Sequence, residues 1–147
     1  MQTLALKIVT PEGVVLQAEV ARVTLPVEEG EVTILPEHMP YIGSLGAGEA
    51  VLTHTDETQA FLALSGGFVE FDHNTLTVLA DTAERAEAID IERAEAAKQR
   101  AEELRNQAAD MSEEEYARVA AALEKELVRI KVARKHASRR GPQIISE

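Results

Sequence analysis

From Thr82 to Arg140 the chain contains neither glycine nor proline, whereas seven of its eight glycines and four of its five prolines precede Asp81. Both residues interrupt regular structure, glycine through conformational freedom and proline through its missing N–H, so the asymmetry predicts two halves built differently. Before Asp81, runs such as VARVTLPV, AVLTHT, QAFLALS and TLTVLA alternate with turn chemistry at PEG (11–13), EEGE (28–31), GAGE (46–49), THTDET (53–58), SGG (65–67) and DHN (72–74). Short strands with close turns predict an antiparallel β-sandwich or barrel, with Pro26, Pro36 and Pro40 at edges or breaks.

After Asp81 the composition changes to Ala, Glu, Arg and Leu, all but the acidic capping positions being strong helix formers. Ala94, Ala97, Ala101, Leu104 and Ala108 fall on one helical stripe. Tyr116, Val119, Leu123, Leu127 and Ile130 fall on a second. Between them NQAADMSEEE supplies a break, then Ser112 with Glu115 three residues on, the pattern that satisfies free N–H groups at a helix start. A short link predicts an antiparallel hairpin. The fold class is therefore α+β: a sandwich over 1–85, a helical hairpin over 86–140 and a flexible tail over 141–147. The first stripe is nearly all alanine, so at about 25 cal/mol per Å² its docking should be weak. Its helicity would survive undocking, which suits a part that changes position.

The charge is −11, and its distribution is uneven. Residues 1–85 carry 3 basic and 13 acidic groups, 86–124 carry 5 and 11, and 125–147 carry 7 and 2. The acidic body opposes general binding to nucleic acid or anionic lipid, while the basic tip would be drawn to an acidic surface. Absence of cysteine excludes disulfides and thiolate chemistry. His38, His54, His73 and His136 lack zinc-ligand spacing, and nothing in the sequence requires a metal. No nucleophile–base constellation is visible, so a non-enzymatic role is expected. The opening MQTLALKIVTPEG has neither secretory nor transit-peptide character, and no window approaches the roughly 18 apolar residues of a membrane span. A cytoplasmic location follows, with membrane association only through partners.

Four segments, in order, resemble the epsilon subunit of bacterial and chloroplast F-type ATP synthases: VTPEGVV (9–15), GEVTILPEHMPYIGSLGAG (30–48), SGGFVEF (65–71) and LADTAERAEAIDIERA (79–94). The resemblance implies a non-catalytic subunit of the rotor's central stalk, peripheral at the cytoplasmic face of a bacterial cell membrane. It implies a sandwich on the gamma subunit and the c-subunit ring. It also implies a helical domain that lies contracted or extends along gamma toward the alpha and beta subunits and blocks ATP hydrolysis. The resemblance implies that Glu31 and His38 lie in the loop region that in the family faces the c ring. Lys131, Arg134, Lys135, Arg139 and Arg140 form the inhibitory basic tip, whose family target is an acidic segment of beta.

Ile89, Asp90, Ile91, Glu92, Arg93 and Ala94 match the family's nucleotide motif. The resemblance implies ATP as a regulatory ligand held by Glu84, Ile89, Asp90, Arg93, Ala94, Arg100, Lys125 and Arg129. Independently of it, Asp90 is a good N-cap. Arg93 and Arg100, seven residues apart, lie within about 20° of each other on the helix and could clamp a phosphate chain. Small Ala94 would leave room for a base or sugar. Lys125 stands where nucleotide-sensing relatives have arginine, replacing a planar fork by a point charge, which predicts weakened ATP affinity. The competing expectation is a structural coupling subunit that inhibits constitutively, its motif serving only to cap and pack a helix.

Overall fold

The computed structural model describes residues 2–137. The chain divides into two compact units between Arg85 and Ala86. In the first, eight strands follow in order: β1 (Leu4–Thr10), β2 (Gly13–Val20), β3 (Arg22–Val27), β4 (Gly30–Ile34), β5 (Tyr41–Ser44), β6 (Gly48–Thr53), β7 (Gln59–Asp72) and β8 (Thr75–Arg85). Their side chains alternate as strand geometry requires. Leu4, Leu6 and Ile8 of β1 point inward, as do Leu76, Val78 and Ala80 of β8.

Hydrogen bonding links the strands in the order β2-β1-β8-β7-β6-β3-β4, with β5 also on β7. The long strands β7 and β8 belong to both layers of the sandwich. Residues 59–64 of β7 pair with β6, whereas 68–71 pair with β5. Thr75–Leu79 of β8 lie beside β1, while Thr82–Arg85 continue along the first half of β7. One layer is thus β2, β1, β8, β7 and β5; the other is β8, β7, β6, β3 and β4. A single core cluster joins them, including Leu4, Ile8, Val23, Leu25, Leu52, Leu64, Phe71 and Leu76. Pairing is antiparallel except between β1 and β8, which run parallel.

That arrangement corrects one sequence expectation. SGG (65–67) does not separate two strands but lies inside β7. Gly66 and Gly67 adopt φ of 61° and 106°, and a Cβ at Gly67 would overlap the Leu79 carbonyl oxygen, one at Gly66 the Asp81 carboxylate. The glycines therefore bend a continuous strand where its partner passes close by. The turn at the far end of the β7–β8 hairpin is as read: His73 and Asn74 both have positive φ, the left-handed pair that a two-residue hairpin loop requires. Asn74 also ties neighbouring segments, its Nδ2 donating to the Thr3 carbonyl at 2.8 Å and its Oδ1 accepting from the Glu37 N–H at 3.0 Å.

The second unit contains α1 (Ile91–Asn106) and α2 (Glu113–Lys135), preceded and linked by single 3-10 turns at Ala86–Ala88 and Ala108–Asp110. Asp90 caps α1, its Oδ1 accepting from the Arg93 N–H at 3.1 Å. Ser112 caps α2 by accepting from the Glu115 N–H at 3.1 Å. An ion pair joins Arg134, near the end of α2, to Glu95, near the start of α1, so the helices run antiparallel. Residues 138–147, including the expected tail, lie outside the described residues.

The buried line of α2 differs from the expected stripe. Leu123, Glu126, Ile130 and Ala133 are buried, spaced at three, seven and ten residues, whereas Tyr116 and Leu127 are 45% and 46% exposed. Tyr116 shares the line but lies in the first turn of α2. Leu127 is turned about 100° from Glu126. On α1, Ala94 and Ala101 are buried and Leu104 is 48% exposed.

Gly67→Ala should lower the stability of the protein by about 2 kcal/mol or more, because a left-handed conformation and a backbone overlap are both penalised. Equilibrium urea unfolding, compared with Gly13→Ala where a Cβ meets no atom, separates overlap from conformational strain.

Candidate functional site

The residues of the expected nucleotide set are divided between the two units. Glu84 belongs to β8, opposite Ala63, and is half-buried. The other seven belong to the helical unit. Asp90 is exposed and holds the first turn of α1, as its capping geometry requires. Arg93 and Arg100 are both exposed. Their seven-residue spacing on a regular helix keeps them on one side, open to an anion. Ile89 and Ala94 are buried, at 2% and 0% exposure, so packing already occupies the space beside Ala94 that a base would need.

On α2, Lys125 is half-buried. Arg129 donates from Nη1 to Oε2 of Glu126 at 2.8 Å, and both side chains are largely covered, 19% and 9% exposed. The Arg134–Glu95 pair ties the end of α2 to the start of α1. Glu126 was not among the expected site residues. It falls three residues after Leu123, on the buried line itself, and that spacing together with its i,i+3 relation to Arg129 was the available signal.

The expected basic tip is partly described. Lys131, Arg134 and Lys135 are exposed at the end of α2, with Arg134 engaged by Glu95. Arg139 and Arg140 lie outside the described residues. On the sandwich, Glu31 is an exposed residue of β4, not of a loop. His38 lies in the link between β4 and β5, separated from Glu31 by the rest of β4 and a turn closed by the His38 N–H on the Leu35 carbonyl at 3.1 Å. The His38 ring meets Tyr41 and Phe71 edge-on, with centroids 6.5 and 5.9 Å apart. Its Nδ1 lies 2.7 Å from the Met39 carbonyl. Met39 and Ile42 beside it are 73% and 77% exposed.

A groove of about 370 Å³ lined by Pro40, Tyr41, Ile42, Glu70, Phe71 and Asp72 adjoins that region. Its charges are carboxylates, which fits a phosphate poorly. Among the described residues, no group of three His, Cys, Asp or Glu could hold a metal ion, and no helix is long and apolar enough to cross a membrane. The carboxyl held below the ordinary range is that of Asp56, in the β6–β7 turn, where the Thr58 hydroxyl and then the Thr58 N–H donate to it.

The beta-sandwich domain of the ATP synthase delta/epsilon chain matches residues 3–86, and the long alpha-helix domain of that chain matches residues 83–134. The protein belongs to this family. Among its relatives, the ATP synthase epsilon chain of Moorella thermoacetica is 43% identical over 134 residues, covering 90% of this chain and 98% of that one. The epsilon chain of Desulforamulus reducens is 46% identical over 132 residues, again 90% and 98%. Two solved assemblies share the fold. A chain of the Euglena gracilis mitochondrial ATP synthase OSCP/F1/c-ring structure superposes with a TM-score of 0.71 at 22% identity, covering 92% of this chain and 81% of that one. A chain of the Tetrahymena thermophila mitochondrial ATP synthase central stalk and c-ring structure gives 0.59 at 12%, covering 90% and 97%.

Asp90→Ala should cost about 1 kcal/mol of helix stability. Amide exchange at the first turn of α1 should quicken, while exchange in the sandwich core stays unchanged.

Proposed function

We propose that this chain is a non-catalytic subunit of the central stalk of a bacterial ATP synthase. Its sandwich couples the gamma subunit to the c ring, and its helical unit restrains ATP hydrolysis unless ATP holds the hairpin contracted. The protein sits at the cytoplasmic face of the cell membrane through that complex. The observation that carries the nucleotide reading is the start of α1. Asp90 is committed to capping, and Arg93 and Arg100 remain exposed on one face of α1. Two open guanidiniums can bind a polyphosphate bidentately. Ile89, Ala94, Lys125 and Arg129 complete the proposed set within the helical unit. ATP acts as an effector, since no phosphate-cradling GxxxxGK[ST] sequence is present.

The inhibitory state uses the other end of the hairpin. Extending the helices breaks the Arg134–Glu95 pair, and that exposed pair is worth no more than about 1 kcal/mol. Once released, Arg134 joins Lys131, Lys135, Arg139 and Arg140 as a cationic tip for an acidic surface on the catalytic subunits. On the sandwich, Glu31 and His38 are the proposed contacts with the c ring, with exposed Met39 and Ile42 adding apolar area beside His38. The alternative is a coupling subunit that inhibits constitutively, favoured by the complete burial of Ala94, which suits a packing residue.

Calorimetric titration of the isolated protein with ATP should show saturable binding, weakened at least tenfold by Arg93→Ala and tightened by Lys125→Arg. Absence of heat at millimolar ATP would leave the constitutive alternative. Truncation after Arg85, which keeps β8 whole, should raise ATP hydrolysis by the assembled complex. Unchanged hydrolysis would remove the inhibitory role from both readings.

A further inference from the structure

Glu126 is a carboxylate on the buried line of α2, between Leu123 and Ile130, only 7% exposed. The nucleotide reading gives it no task. Its Oε2 takes a hydrogen bond from Nη1 of Arg129 at 2.8 Å, and Arg129 is a cation of the proposed nucleotide set. A guanidinium offers five N–H donors in a fixed fork, and a phosphate needs two parallel ones for a bidentate grip. One of those donors is directed at Glu126.

We propose that Glu126 sets the ATP affinity of the helical unit by competing with phosphate for Arg129. This rests on the nucleotide reading above and names the group that regulates the same site. Two effects act in one direction. The carboxylate holds the Arg129 fork turned along α2, so a phosphate must displace it. Its negative charge also lies within one hydrogen bond of the cation that would receive the phosphate, and burial leaves that repulsion less screened by salt than a surface charge would be. A glutamine at the same position would still accept the Arg129 hydrogen bond without the charge. Glu126 is a positioning residue: it acts through Arg129 and need not touch the nucleotide.

The test is ATP titration of the full chain carrying Glu126→Gln, with Glu126→Ala as a second variant that removes the acceptor and favours helix. Both should bind ATP about tenfold more tightly than the unaltered protein. Their affinity should also fall more steeply as salt rises, because the site has gained net positive charge. Thermal unfolding followed by circular dichroism verifies the fold of each. Unchanged or weaker affinity in a folded variant overturns the proposal. So does a gain with an unaltered salt dependence, which marks a change of packing alone. Arg93→Ala distinguishes this failure from that of the parent reading. If Arg93→Ala weakens ATP binding while Glu126→Gln leaves it unchanged, the site stands and the role of Glu126 falls. If the unaltered protein and both Glu126 variants fail to bind millimolar ATP, both readings fall together.

Discussion

The bend of β7 at Gly66 and Gly67 is the constraint on which the sandwich depends. A strand of 14 residues cannot lie flat in one layer here, since its two halves pair with different neighbours, β6 and β5. Bending it brings the backbone against the Leu79 carbonyl, where only a residue without Cβ fits. Because β8 follows β7 through the bend, one hairpin supplies the centre of both layers. The remaining strands add outward from it. β1 joins β8 in parallel and β2 closes that edge, while β6, β3 and β4 extend the other layer. Leu62 and Leu64 before the bend and Val69 and Phe71 after it consequently enter one core from opposite sides.

The helical unit rests on different physics. Its hydrogen bonds are internal to each helix, both starts are capped by their own side chains, and its buried alanines contribute little apolar area beside Leu123 and Ile130. Helices of this kind keep their hydrogen bonds when separated from a neighbour. The link between helices at Ala108–Asp110 is a single 3-10 turn between caps, so separating them requires dihedral changes in few residues. Under the proposed function, those energetics permit an arm that changes position while the sandwich keeps its own core.

Much of this was legible in the residues. Glycine and proline placement located the boundary between strand and helix, and the capping residues Asp90 and Ser112 were readable because N-cap chemistry is local. Two features were not. SGG reads as a turn because two glycines usually end a strand; that they bend one instead depends on β8 passing behind, a contact of long sequence separation. The α2 stripe was misplaced by one residue because Leu127 is apolar and Glu126 charged. The Arg129 partner makes the charged residue tolerable inside. Of the candidate site, the α1 half was readable from a contiguous motif. The α2 half was not, since the state of Arg129 is set by a neighbouring carboxylate and not by its own identity.

Lys125 and Glu126 act in the same sense under the proposed function, and weakness in such a site is not a defect. A ligand shifts a conformational equilibrium only through its differential affinity, contributing RT ln(1 + [L]/Kd) to the state it binds. That is about 0.4 kcal/mol when the ligand equals its Kd and about 2.7 kcal/mol at one hundred times it. A site with four unopposed cations would stay loaded as ATP fell, and the hairpin would report nothing. Replacing one fork by a point charge and opposing another with a buried carboxylate moves half-saturation to higher ATP. The α1 side of the interface is alanine and its Arg134–Glu95 pair is exposed, set against Leu123 and Ile130 on α2, so a contribution of that size bears on which state is occupied. Under the proposed function, the docking strength of the hairpin and the moderated charge of its site are matched requirements of a single switch: strengthening either alone would fix it in one position.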